Sequence, residues 1–232
     1  MTGSQPSRPS LVGRLVAKDL YFYRWLIVGT LLAGVASLAA SRFEDGDGVS
    51  TGPNLGILLF MTTVIAFGVS LPMILLKEHQ TRTSLFVLSL PVSPAQYSFA
   101  KVAAALIAFL VPWLGLTAGV VVLTAASAAP DGPIPFFVAM MTFFLGNFCV
   151  LTALTVITMS ELAAIAGILV TNVSVTVFLV VIGRLPGIAE HREGDMAVWS
   201  PEILTVLAAE LAVILLSLAL AFYLPSRRRD FA

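Results

Sequence analysis

Six apolar stretches, at 25–40, 55–76, 102–126, 134–158, 162–182 and 203–224, decide what this chain can fold into. A helix rising 1.5 Å per residue needs about 20 residues to cross the roughly 30 Å hydrocarbon core of a bilayer. The first stretch reaches that length only if Tyr21, Phe22 and Tyr23 belong to it as an aromatic interfacial belt. A soluble fold is excluded by surface-to-volume scaling. Of 232 residues, 58% are hydrophobic and 11% charged, with a mean hydropathy of +0.98, whereas a soluble domain carries about 25% charged residues. The same numbers exclude a disordered chain, a disulfide-built secreted scaffold and a nucleic-acid binder. The single cysteine, Cys149, lies inside an apolar run and reads as a small packing residue.

Backbone polar groups in lipid must be satisfied internally, so the spans are helices or strands of a closed barrel. Barrel strands alternate apolar and polar residues over about ten positions. These runs are continuously apolar, so the expected fold is all-α: a single transmembrane domain of six helices. Charge sets the orientation. The N-terminus, the 77–101 segment, the 159–161 turn and the C-terminus hold ten basic residues: Arg8, Arg14, Lys18, Arg24, Lys77, Arg82, Lys101, Arg227, Arg228 and Arg229. The opposite set holds three, Arg42, Arg184 and Arg192. The positive-inside rule then places both termini in the cytoplasm and the acid-rich loops outside. The late first run lacks a small-residue cleavage site, so it does not read as a cleavable signal peptide.

Between the spans the polar segments differ in character. Residues 1–10 are rich in Ser and Pro and read as a mobile tail. Residues 11–24 interleave Leu11, Leu15, Leu20 and Phe22 with Arg14, Lys18 and Arg24, which suggests an interfacial amphipathic helix ahead of the first span. The 77–101 segment is too long for a simple helix connector and too polar for a span. Leu85, Leu88 and Val92, with Phe86 and Leu90, give a short helical pattern. Pro91 ends it by forcing Leu90 out of helical geometry. Ser93 and Pro94 then form the start signal of a further helix.

The residues Glu78, Thr81-Arg82-Thr83, Leu88-Ser89-Leu90-Pro91-Val92-Ser93, Tyr97 and Lys101 resemble the cytoplasmic signature of ABC-2 type transporter permeases. The family plan of six spans, internal termini, an N-terminal interfacial helix and a longer external segment between spans five and six also fits. The chain departs from the family where Arg82 or Thr83 stands in place of a common glycine. The resemblance implies a type V exporter-like architecture in a bacterial inner membrane. It implies that 77–101 is a coupling helix docked in a groove of an ATP-binding subunit. Glu78, Thr81 and Arg82 would sit near that groove, Leu85, Phe86 and Leu88 would fill it, and Pro91 would close the turn. It further implies two P-loop ATPase subunits holding ATP and Mg, and a second copy of this chain or a related permease in the surrounding lipid.

The chain itself shows no catalytic constellation. No G-x-x-x-x-G-K-[ST] sequence occurs, so nucleotide would be hydrolysed by a partner and no cofactor is expected on this chain. His79 and His191 both lie outside the spans, and no His/Cys/acid spacing suits a metal. Glu210 is the exception among the spans. A carboxylate two and a half turns inside one should face a cavity or a partner, as a cavity-lining or proton-linked acid, or else be a buried acid bonded to a neighbouring hydroxyl. Asn147, Asn172 and Thr176, with Thr171 and Ser174, read either as cavity-lining residues or as hydrogen-bonding glue between helices. Glu161 suits the N-terminus of span five, where the helix dipole favours an anion. The expected function is therefore a permease subunit of an ATP-driven exporter of hydrophobic or amphipathic substrates. The alternative is an ion-coupled carrier with Glu210 as its proton site.

Overall fold

The computed structural model describes residues 11–41, 51–80, 94–126, 130–192 and 194–227. They form seven helices: α1 Leu11–Ala40, α2 Thr51–Gln80, α3 Pro94–Ala125, α4 Pro133–Thr158, α5 Glu161–Ile182, a one-turn α6 Pro186–Ala189, and α7 Pro201–Arg227. All but α6 are long and apolar enough to cross a membrane, and no strand occurs among the described residues. The chain is an all-helical, multi-pass membrane protein.

The 11–24 segment is not a separate interfacial element. It continues without a break into the first span as one 30-residue helix. The reason is visible in its packing. Asp19 and Tyr23, which look like part of a polar flank, are 5% and 1% exposed and face the bundle. Tyr21, Phe22 and Trp25 point outward, and the Arg24 guanidinium lies 3.7 Å from the Tyr21 ring centroid. That is the arrangement of an interfacial aromatic anchor. The connector after the second span is likewise shorter than its polarity suggests. Lys77 to Gln80 extend α2, and α3 opens at Pro94.

Helix α4 is the most enclosed of the six and α5 the least. α4 packs on α2, α3, α5 and α7, while α1 packs on α2 and α3. Aromatic rings fill the centre. Phe109 of α3 stacks on Phe148 of α4, with centroids 4.2 Å apart, and on Phe67 of α2 at 5.7 Å. Phe143 of α4 stacks on Phe178 of α5 at 3.9 Å. Pro72 and Pro112 sit within α2 and α3 and are fully buried. α1 comes close to α3 at Gly34, where a Cβ would meet Leu116 Cδ2 at 2.5 Å and push that side chain aside. The tight α4–α5 turn is closed by Met159 in the left-handed region at φ 49°. Ser160 then caps α5 by accepting from the Ala163 N–H, and Glu161 stands beside it in the first turn, where the dipole favours its charge.

Candidate functional site

One end of the bundle gathers the early part of α1, the end of α2, the start of α3 and the end of α7, where Phe99 and Phe222 meet. A charge cluster is built there. Lys101 is 8% exposed, and its Nζ donates to Asp19 Oδ1 at 2.9 Å and to Glu78 Oε2. The Tyr97 ring lies one turn before Lys101, with its centroid 5.7 Å from Nζ. Each charge comes from a different helix, so the cluster ties α1, α2 and α3 together. An ammonium between two carboxylates satisfies much of the hydrogen-bonding capacity that burial would otherwise leave empty.

Of the residues expected in a docking segment, Glu78 is described, and it bonds inward to Lys101. Thr81, Arg82, Leu85, Phe86, Leu88 and Pro91 lie outside the described residues. Lys101 enters the sequence reading only as one of the basic residues and the last residue of the signature, and Asp19 does not enter it at all. The available signal was that Asp19 is the only acid before Glu44, set in a basic stretch.

Glu210 is 8% exposed and shares one face of α7 with Ile203, Ile214, Ser217 and Ala221, the face that packs on α4. Neither carboxylate oxygen has a hydrogen-bond partner. A bond to a neighbouring hydroxyl, the simplest structural role for a buried acid, is therefore not made.

The polar residues of α4 and α5 act mostly within their own helices. Thr171 and Asn172 both donate to Ile168 O, and Asn172 and Thr176 are exposed. Asn147 is the one that reaches across. The Ser174 hydroxyl lies 2.7 Å from Thr171 O and 3.3 Å from Asn147 Oδ1, so its single proton is shared between its own helix and α4. Asn147 and Asn172 also line a crevice of about 30 Å³ between α2, α4 and α5, room for about one water molecule.

The larger opening lies at the opposite end of the bundle. The ends of α1 and α3 and the starts of α2 and α4 enclose a cleft of about 570 Å³. Its walls include Leu38, Ile57, Phe60, Val120, Phe137 and Met140, and Arg192 also lines it. Gly56 lets α2 approach the Ser41 backbone closely at this end. Among the described residues no group of three or more His, Cys, Asp or Glu could hold a metal.

The site features thus define a helical membrane protein with a buried charge cluster at one end and an apolar cleft at the other. No family model, curated protein or solved structure matches the chain.

Proposed function

We propose that this chain is the membrane-spanning permease subunit of an ATP-driven ABC transporter, with an ABC-2, type V exporter-like architecture. In this reading it exports a hydrophobic or amphipathic substrate across a bacterial cytoplasmic membrane, with both termini inside. It works with a second permease chain and two separate P-loop ATPase subunits, which hold ATP and Mg.

The sequence support is the run from Glu78 to Lys101. The observation that carries the reading is the fixing of both roots of that run. Glu78 at the end of α2 and Lys101 at the start of α3 are bonded to each other, and Asp19 adds α1. A force applied between the two roots would enter three spans together rather than dissipate in a slack connector. Alternating access needs such a rigid two-state element.

Purification of the chain from its native host after mild crosslinking is expected to bring down a P-loop ATPase. Leu88→Glu, which places a charge on the proposed docking face, is expected to abolish that association and the ATP hydrolysis of the complex. Melting of the variant should be unchanged. Retention of the ATPase by Leu88→Glu would overturn the docking role.

One observation favours the ion-coupled alternative: the two unpartnered oxygens of Glu210. A buried intramembrane acid without a bond is the arrangement of a proton relay. That reading expects substrate flux in liposomes driven by a pH gradient without nucleotide, and its loss in Glu210→Gln. ATP-driven flux that survives Glu210→Gln would remove it.

A further inference from the structure

We propose that the cleft between α1, α2, α3 and α4 binds a single-chain amphiphile with a singly charged anionic head, its hydrocarbon tail in the cleft and its head at Arg192. The volume of about 570 Å³ falls within the range of small-molecule sites, about 300–1,000 Å³, and such sites are largely apolar with few polar groups to fix orientation. The described lining fits that division. Ile57, Phe60, Val120, Phe137 and Met140 offer only hydrocarbon, aromatic and thioether surface, and Arg192 is the charged residue among them.

Arg192 is exposed and has no ion-pair partner among the described residues. Its position is held by backbone rather than by chance. The Arg192 N–H donates to Ile188 O at 3.1 Å. Just beyond, Gly132 N donates to Gly194 O at 2.9 Å and Asp131 N to Asp195 O at 3.4 Å, which fastens this loop to the start of α4. Gly132 is required for that approach, since a Cβ there would collide with the His191 carbonyl oxygen and with Gly194. A guanidinium presents five N–H donors in a fork that matches a carboxylate or phosphate. Asp131 and Asp195 belong to the two segments that these bonds join, and Glu190 stands two residues before Arg192, so acidic residues accompany the guanidinium in the chain and a singly charged head suits it better than a polyanion.

The site stands apart from the energy source proposed above, and its test needs no ATPase. The full chain is reconstituted in phosphatidylcholine nanodiscs and titrated with 11-(dansylamino)undecanoic acid, alongside empty nanodiscs. Saturable binding in excess of lipid partitioning is expected. Arg192→Gln is expected to weaken binding of the acid about tenfold, the scale of one lost charge-assisted hydrogen bond, and to leave the probe's methyl ester unaffected. Ile57 lines the cleft and is 51% exposed, so Ile57→Trp fills the space without disturbing the core and is expected to abolish binding of both forms. Displacement by oleate or by lysophosphatidylglycerol distinguishes a carboxylate head from a phosphodiester. Equal partitioning into empty nanodiscs, or binding indifferent to both substitutions, would overturn the proposal. An effect of Ile57→Trp with none from Arg192→Gln would overturn the assignment of the head.

Discussion

Lys101→Met is expected to lower stability by about 3–5 kcal/mol, because it leaves two carboxylates close together without their shared cation. Asp19 is even more buried than Lys101 and cannot turn to water, while Glu78 is the more exposed of the two acids. The prediction separates a truncated ion cluster from simple loss of packing. If the penalty comes from uncompensated charge, neutralising the acids as well should recover most of it, since buried ionic groups replaced by neutral ones of similar size are often tolerated. The triple variant Asp19→Asn, Glu78→Gln, Lys101→Met should therefore melt closer to the wild type than Lys101→Met alone. Lys101→Arg should fall between them, keeping the charge but needing more room. The protein supplies its own reporter. Cys149 is the only cysteine and is 1% exposed on α4, so a fluorogenic maleimide reacts only as the bundle opens. Melting in detergent micelles gives the order of the variants. An unchanged midpoint for Lys101→Met would remove the cluster from any account of how α1, α2 and α3 are held together.

Phe109→Ala is the second large effect, and its size follows from the solvent. In water, losing a buried Phe forfeits a transfer term and leaves a cavity, together about 3–5 kcal/mol. In a bilayer the separated helices still sit among lipid tails, so little transfer term remains and packing carries the loss. What survives is the cavity. At about 24 cal/mol per Å³, a void on the order of 100 Å³ costs about 2 kcal/mol. Phe109 is 1% exposed, stacked between rings of α2 and α4, so the gap opens at the centre of the bundle and cannot be filled by one neighbour. Phe99→Ala is the control. Phe99 is 50% exposed and contacts Phe222 at the bundle's end, where lipid or detergent fills the space. The same thiol assay should show a clear drop for Phe109→Ala and little change for Phe99→Ala. Equal effects would mean that the stack is not the centre of the packing.

The number and approximate reach of the spans are legible in the sequence because hydropathy acts residue by residue. A run of Leu, Val and Ala needs lipid whatever its neighbours do. The start of α3 is legible for a similar reason, since Ser93 and Pro94 carry local geometry. The continuity of α1 is hidden by composition. Arg14, Lys18 and Arg24 make the segment look polar, and only the fold reveals that Asp19, between them, is paired with a lysine 82 residues away. The site divides along the same line. Glu210 stands out in sequence because a charge in a span is rare, but that its oxygens lack partners depends on which α4 residues lie opposite. The cleft is invisible beforehand, as its walls come from the ends of four helices and its cation from the loop between α6 and α7. The Asn147 contact with Ser174 is intermediate: residue types suggest a bond across helices, and the structure selects which pair makes it.

The unbroken course of α1 has a mechanical consequence. Asp19 and Leu38 belong to one rod, about 28 Å apart along its axis at 1.5 Å per residue. A stiff rod gripped near one tip behaves as a lever, and each degree of tilt about Asp19 carries Leu38 sideways by about half an ångström. Five degrees would shift that wall of the chamber by about 2.5 Å, so a tilt imposed at the charged tip would change the calibre of the opening at the far one.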